Sequence, residues 1–140
     1  MDGFSVILCS TSSDSHTWNL VFMELLLAEA GCAVLNLGPC TPDDLVAAEC
    51  ERLEPDLVVI STVNGHGLTD GTRLIGRLRE TPGGSEVPVV IGGKLTVDGA
   101  ALDRVAELLA AGATAVFGDG EADVEAFAEF VVSLHSKVRG

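Results

Sequence analysis

The chain alternates five short apolar runs with five amphipathic segments, and this alternation limits the folds that it can adopt. The apolar runs are rich in β-branched residues and lie at 4–10, 33–38, 56–62, 87–93 and 114–119. The amphipathic segments follow them, at about 17–30, 42–53, 70–80, 98–111 and 120–136. Strands without period-two alternation are typical of a parallel sheet that helices cover on both faces. The pattern predicts an α/β fold with a doubly wound, five-stranded parallel sheet of Rossmann-like or flavodoxin-like order 2-1-3-4-5.

Composition narrows the function classes. The 140 residues are 47% hydrophobic, which suits a single domain over residues 1–140. The net charge of −13 disfavours nucleic acid and anionic membranes as partners, because both carry negative charge. The start of the chain has an early acid and no basic segment, so no signal peptide is predicted. The four cysteines show no Cys-x-x-Cys spacing, so we expect buried thiols and a cytoplasmic location.

Polar loops are expected at one end of the sheet only. The loops after strands 1, 3 and 4 read STSSDSHTWN, TVNGHGLTDG and GGKLTVDG. They are rich in glycine, serine and threonine and two contain a histidine, whereas loops at the other end, such as EAG and RLEP, contain no hydroxyl or histidine side chain. In the predicted order, strands 1 and 3 are neighbours where the winding reverses. Ligands bind beyond the carboxyl ends of the strands at that point. The three loops are therefore the predicted binding site.

Three familiar ligand sites on such a sheet do not fit these loops. A phosphorelay receiver needs an aspartate after strand 3 and a lysine after strand 5, where this chain has Ser61-Thr62 and Phe117-Gly118. A flavodoxin site would place Asp14 beside a phosphate dianion, and the chain has no tyrosine and one tryptophan to flank a flavin ring. A dinucleotide site would need G-x-G-x-x-G after strand 1, which is absent.

Asp14 and His16 lie two residues apart on the first loop. A histidine that binds a metal usually donates its other ring N–H to a carboxylate, and Asp14 can supply one locally. One histidine is too few for a zinc or iron site built by the protein, but it can be the axial ligand of a metal in a macrocycle. The alternative is that Asp14 or Ser15 caps helix 1 and that His16 lies exposed on its first turn.

Three short motifs, each at the end of a strand, together resemble the cobalamin-binding domain family. That family has the pattern D-x-H-x-x-G, then S-x-L, then G-G. The corresponding motifs here are Asp14-x-His16, Ser61-x-Val63 and Gly92-Gly93. The length of the chain and the sequence SSDSH at residues 12–16 most resemble the small, cobalamin-binding subunit of glutamate mutase (methylaspartate mutase).

The resemblance implies a subunit of an isomerase that binds adenosylcobalamin with its base displaced from the cobalt. His16 would be the lower axial ligand of the cobalt, and Asp14 would hydrogen-bond its distal nitrogen. The cofactor would supply the radical chemistry, so no catalytic residue is expected in this chain. A larger catalytic subunit would bind the substrate, which makes this chain inactive alone.

The resemblance also implies a slot for the displaced nucleotide tail between the sheet and helix 1. The base would lie between the strand 3 motif and the glycine pair, whose lack of side chains leaves space. Hydroxyl groups would contact the tail, and Lys94 would reach its phosphate. The residues assigned to the cofactor are Ser13, Asp14, Ser15, His16, Thr17, Ser61, Thr62, Val63, Gly92, Gly93, Lys94, Leu95 and Thr96.

Several residues depart from the family pattern or stand beside it. Asn19 replaces the glycine of D-x-H-x-x-G, and its side chain would either narrow the slot or hydrogen-bond the ligand. Trp18 is expected to pack at the start of helix 1, or else to contact the corrin edge or the partner subunit. His66 is expected to face solvent or corrin amides, and His135 is expected on the surface.

Two alternative functions stay open. One is a corrinoid carrier for a methyltransferase, in which His16 still binds cobalt. The absence of the helical segment usually fused to such carriers argues against it. The other is a binding or regulatory module that has lost the cofactor. Asn19 is the reason for this alternative, because it replaces the glycine of the family pattern.

Overall fold

The computed structural model describes residues 4–63, 67–93, 101–118 and 121–139. Five strands and five helices alternate along these ranges. The strands are β1 (Phe4–Cys9), β2 (Cys32–Asn36), β3 (Leu57–Thr62), β4 (Val89–Gly93) and β5 (Ala115–Phe117). The helices are α1 (Trp18–Glu29), α2 (Asp43–Leu53), α3 (Gly67–Arg79), α4 (Ala101–Ala111) and α5 (Glu121–Arg139), and a short 3-10 turn spans Pro82–Gly84.

The strands form one parallel sheet of order β2-β1-β3-β4-β5, which confirms the predicted topology. Strands β1 and β3 are adjacent, with Val6 opposite Leu57. Strand β3 is buried along its whole length because a neighbouring strand lies on each side and helices cover both faces. The carboxyl ends of β1, β3 and β4 therefore meet at the predicted switch point.

Apolar side chains form two separate cores, one on each face of the sheet. On the first face, α2, α3 and α4 contribute residues such as Val46, Leu74 and Leu108. On the second face, α1 and α5 contribute Leu20 and Phe127 among others. Successive strand residues point to opposite faces, so a strand between two cores must be apolar throughout. This explains why the sequence shows continuous apolar runs without alternation.

Helix α3 begins at Gly67, three residues before the predicted start. The predicted start of the fourth helix, at about residue 98, lies outside the described residues. No helix in the described ranges is both long and apolar enough to cross a membrane.

His135 is not the surface residue that was expected. Its ring is half-buried and stacks on Phe4, with a distance of 4.9 Å between ring centroids. Helix α5 packs over the start of β1, and this long-range contact has no signature in local periodicity.

Only some of the cysteines are buried as expected. All four are free thiols. Cys9 and Cys50 are buried, and burial raises the pKa of both thiols, that of Cys50 to about 11. Cys32 is half-buried, and Cys40 is exposed at a positive φ of 50° in the loop after β2, which contradicts the expectation of burial for that residue.

Candidate functional site

The loop between β1 and α1 is held by hydrogen bonds to its neighbours. The backbone N–H of Ser10 donates to the hydroxyl of Thr41 at 3.0 Å, and the N–H of Cys40 donates to the carbonyl of Asp14 at 2.8 Å. The N–H of Asp14 donates to the carbonyl of Thr11 at 3.1 Å, which closes a turn. These bonds fix the backbone of Asp14 at the carboxyl end of the sheet.

The carboxylate of Asp14 is fully buried, and hydrogen-bond donors surround both of its oxygens. Its Oδ1 accepts from the backbone N–H of His16 at 3.0 Å and from the His16 ring nitrogen Nδ1 at 2.7 Å. Its Oδ2 accepts from the Thr62 hydroxyl at 2.8 Å and from the backbone N–H of Val63 at 2.7 Å. Burial raises the pKa of Asp14, but the hydrogen bonds outweigh it and lower the pKa to about 2. The group is therefore a carboxylate at neutral pH.

The hydrogen bond between Asp14 and the His16 ring determines which ring nitrogen carries the hydrogen. A carboxylate can only accept, so the Nδ1 atom facing it carries the hydrogen. In the neutral ring, Nε2 then holds a lone pair, which is the form that binds metals. The His16 side chain is 58% exposed while that of Asp14 is 0% exposed. The site thus presents one oriented imidazole nitrogen, Nε2 of His16, to a ligand at the carboxyl edge of the sheet.

The helix-capping alternative for this turn is wrong. Helix α1 begins at Trp18, and the preceding Thr17 makes no side-chain cap hydrogen bond. The Asp14 carboxylate points instead into the sheet edge, toward Thr62 and Val63. The alternative was right only in placing His16 in an exposed position.

A cavity of about 160 Å³ lies between the carboxyl halves of β3, β4 and β5 and the helices α1 and α5. Four residues of the predicted site line it, namely Ser61, Val63, Gly92 and Gly93. Asn19 also lines the cavity, and its amide nitrogen Nδ2 donates to the Ser61 hydroxyl at 3.0 Å and to the Ser61 carbonyl at 3.3 Å. The slot expected between the sheet and helix 1 is therefore present as a space, with Asn19 on its wall.

The glycine pair lines the cavity and also has a structural reason within the sheet. A Cβ on Gly93 would lie 1.9 Å from the carbonyl oxygen of Thr62, and Gly93 has a φ of +121°. A Cβ on Gly92 would lie 3.1 Å from the carbonyl oxygen of Phe117. Glycine is therefore required at Gly93 by the close approach of β3 and by the backbone conformation, whereas at Gly92 a side chain would be tight against β5.

The structure separates the predicted site residues into groups. Thr62 does not line the cavity with Ser61, because consecutive strand residues point to opposite faces, and its hydroxyl binds Asp14. Ser13 is exposed and its hydroxyl donates to Asp70. Ser15 and Thr17 are exposed, away from the cavity. Lys94, Leu95, Thr96 and His66 lie outside the described residues.

No group of three or more histidine, cysteine, aspartate or glutamate residues within the described ranges could hold a metal ion. His16 and Asp14 form a pair, and both oxygens of Asp14 already accept hydrogen bonds. A ligand set of this size fits a metal that a macrocycle already holds, and it fits a protein-built metal centre poorly.

A family model for the B12 binding domain matches residues 4–128. The chain belongs to the B12-binding domain family. The match covers both halves of the sheet and all three loops at its carboxyl edge. This confirms the family resemblance on which the cobalamin prediction depends.

Two glutamate mutase subunits are similar to this B12-binding domain in sequence. The glutamate mutase sigma subunit 1 of Haloarcula marismortui is 31% identical over 93 residues, which is 66% of this chain and 60% of that subunit. The glutamate mutase sigma subunit of Halobacterium salinarum is also 31% identical over 93 residues, 66% of this chain and 61% of that subunit. The matched region thus spans about three fifths of the length of either relative.

Solved structures share the fold of this B12-binding domain. The monomethylamine corrinoid protein of Methanosarcina barkeri superposes with a TM-score of 0.75 at 19% identity, over 93% of this chain and 57% of that one. The receiver domain of the sensor histidine kinase PA1611 of Pseudomonas aeruginosa superposes with a TM-score of 0.66 at 16% identity, over 94% and 98% of the two chains. These likenesses show that corrinoid proteins and receivers share one sheet topology, so the site residues must distinguish them.

A charged cluster beside the first loop of this B12-binding domain was not predicted from the sequence. Arg73 on α3 forms ion pairs with Asp43 at 2.7 Å and Asp70 at 2.9 Å, and it donates to the Ser12 hydroxyl at 2.8 Å. The hydrogen bonds to Asp43 and Asp70 raise the pKa of Arg73. The i, i+3 spacing of Asp70 and Arg73 was a visible signal. Their contact with the loop required the tertiary structure.

Trp18 does not pack at the start of α1, as was expected. Its side chain is 82% exposed, and Phe22 and Leu25 on the same helix are 51% and 64% exposed. The other expectation for Trp18, a contact with the corrin edge or a partner, stays a prediction.

Proposed function

We propose that this chain is the cobalamin-binding subunit of an adenosylcobalamin-dependent carbon-skeleton mutase related to glutamate mutase. His16 would hold the cobalt, and the nucleotide base would be displaced from it. A larger catalytic subunit then binds the substrate on the other face of the corrin ring. The similarity to two glutamate mutase sigma subunits supports the choice of a mutase.

The observation that carries the proposal is the fixed, exposed imidazole of His16. Asp14 accepts the Nδ1 hydrogen at 2.7 Å and is itself held by Thr62 and Val63, so the ring is oriented before any metal arrives. A carboxylate on the distal nitrogen makes the opposite nitrogen a more basic ligand. More than half of the His16 side chain is exposed, so the imidazole is accessible from outside the protein.

The cavity beside α1 supports the proposed binding with the base displaced. A ring system released from the cobalt needs an apolar slot near the lower ligand. The cavity provides one between β3, β4, α1 and α5, with Ser61 as a polar contact.

When bound, adenosylcobalamin supplies radical chemistry for the rearrangement, and this chain's residues only hold the cofactor. His16 would ligate the cobalt, Asp14 would fix the imidazole through its hydrogen bond to Nδ1, and Ser61 would contact the base. We infer a cytoplasmic location, where four unpaired thiols are stable.

The test is corrinoid binding by the full chain, followed by visible absorption and by electron paramagnetic resonance of the cobalt(II) form. With 15N-labelled histidine in the protein, the hyperfine splitting should change to that of a 15N ligand. His16→Ala should abolish this signature and weaken binding. Asp14→Ala should weaken binding by about 10- to 100-fold. His135→Ala is the matched control, because half-buried His135 stacks on Phe4 at the amino end of β1 and its loss should leave the spectrum unchanged.

Two results would contradict the proposal. If wild type and His16→Ala give the same spectrum and affinity, His16 is not the ligand. If the wild type binds no corrinoid, the chain is a module that has lost the cofactor. A methyltransferase carrier would bind in the same way, so the partner decides: with the larger subunit supplied, adenosylcobalamin should support activity and methylcobalamin should not.

A further inference from the structure

A tight turn comes directly before Asp14. The N–H of Asp14 donates to the carbonyl of Thr11 at 3.1 Å, which closes a β-turn. The two central residues of this turn are Ser12 and Ser13. The turn ends on Asp14, whose carboxylate binds the ring nitrogen Nδ1 of His16. Groups that hold the two serines therefore act on the position of the imidazole.

Helix α3 holds both central residues of this turn. The hydroxyl of Ser13 donates to the carboxylate of Asp70. The guanidinium nitrogen Nη2 of Arg73 donates to the hydroxyl of Ser12 at 2.8 Å. Asp70 and Arg73 also form an ion pair at 2.9 Å, three residues apart on the helix. These two residues, the α3 clamp, give each serine of the turn its own partner.

Arg73 uses all three of its guanidinium nitrogens in these contacts. Nε donates to Asp43 of α2 at 2.7 Å, and Nη1 donates to Asp70 at 2.9 Å, while Nη2 is directed at the turn. A guanidinium presents its donors in a rigid planar fork, so its partners are held in fixed positions relative to each other. Asp70 is buried, and its carboxylate needs such a partner away from water. The turn is therefore tied to α2 and α3 at the same time.

Order in the turn before binding affects the affinity for a ligand. A segment that is mobile in the free protein loses conformational entropy when a ligand fixes it, and this loss weakens binding. Thr62 and Val63 hold the Asp14 carboxylate, but they do not hold the backbone that leads to it. The α3 clamp acts on that backbone through the serine side chains. With the clamp formed, the imidazole is oriented in the free protein.

We propose that Arg73 and Asp70 are positioning residues for His16. By clamping the turn before Asp14 to α3, they keep the imidazole hydrogen on Nδ1 and Nε2 free for a metal. This role rests on the proposed function where it concerns cobalt, because it assumes that His16 is the axial ligand. Loss of Arg73 removes one hydrogen bond to the turn and two partly exposed ion pairs, which corresponds to an affinity about 3- to 10-fold lower.

The first measurement is 15N nuclear magnetic resonance of the histidine rings in the free full chain, at about pH 8.5, where imidazole rings are generally neutral. The wild type should show His16 with its hydrogen on Nδ1, the minor tautomer of free histidine, and His16→Ala assigns the signal. Arg73→Met and Ser12→Ala should both shift it toward the Nε2–H tautomer. Arg77→Met is the matched control, because it removes the same charge from the same helix, where Arg77 pairs with Asp44 at 3.3 Å. The control should leave the tautomer unchanged.

The second measurement is the dissociation constant for cobalamin. Trp18 is the only tryptophan and its side chain is 82% exposed two residues from His16, so quenching of its fluorescence reports binding. Arg73→Met should bind about 3- to 10-fold more weakly than the wild type and than Arg77→Met. In the His16→Ala background the same change should have no effect, because the clamp acts through the imidazole.

Three results would overturn the inference. An unchanged tautomer in Arg73→Met would show that the turn keeps its position without the clamp. An affinity loss of the same size with and without His16 would show that the cluster acts on the fold and not on the imidazole. An altered tautomer with unchanged affinity would separate the clamp from cofactor binding. If the wild type binds no corrinoid, the proposed function fails, while the tautomer measurement still decides whether the clamp orients His16.

Discussion

Asp14→Asn tests whether the carboxylate at the centre of the site also stabilises the fold. The wild-type carboxyl has a pKa of about 2 in the folded protein against an ordinary value of 3.8. At about 1.4 kcal/mol per pKa unit, the difference corresponds to about 2 kcal/mol of stability at neutral pH. Asparagine has nearly the same shape, but its NH₂ cannot accept the hydrogen bonds that one carboxylate oxygen accepts.

The pH dependence of this effect has a definite sign. The folded pKa is lowered, so the stabilisation is complete above the unfolded value near pH 4 and is lost as the pH falls toward 2. About 1 kcal/mol should already be lost at pH 3. The stability difference between wild type and Asp14→Asn should therefore narrow below pH 4, because protonated Asp14 is as neutral as asparagine.

The assay is urea unfolding followed by circular dichroism at several pH values between about 7 and 3, which spans the titration of the unfolded carboxyl. Asp44→Asn is the matched control, because Asp44 is 89% exposed and its ion pair with Arg77 is a surface contact. The control should change the free energy of unfolding by less than about 0.5 kcal/mol. A difference for Asp14→Asn that is the same at both ends of this pH range, or that is absent at neutral pH, would refute the reasoning.

Two glycine substitutions should have opposite effects on stability, measured in the same unfolding assay. Gly93→Ala should destabilise the fold by about 3 kcal/mol or more, because the new Cβ would meet the Thr62 carbonyl and φ is +121°. If Gly93→Ala is as stable as wild type, β3 and β4 can separate there and the argument from close approach is wrong. Gly76→Ala should stabilise the fold by about 0.5–1 kcal/mol, because the new Cβ on α3 meets nothing within 4 Å and alanine favours helix. A loss of stability in Gly76→Ala would contradict the helix-propensity argument.

The order of the five strands, and the position of the Asp14–His16 pair at their carboxyl ends, were predictable from the sequence. Continuous apolar runs identify strands that are buried on both faces, and the polar loops identify the ligand end of the sheet. The pairing of Asp14 with His16 was also predictable, because residues two apart on one turn are neighbours whatever the rest of the chain does.

Only the tertiary structure decided which distant residues complete the site. Asp14 meets Thr62 across 48 residues of sequence, and Asn19 meets Ser61 across 42. Those contacts depend on the register of β1 against β3 and on where α1 lies over the sheet. Periodicity within one segment shows which side of an element is buried and contains no information about which residue of another element it will face.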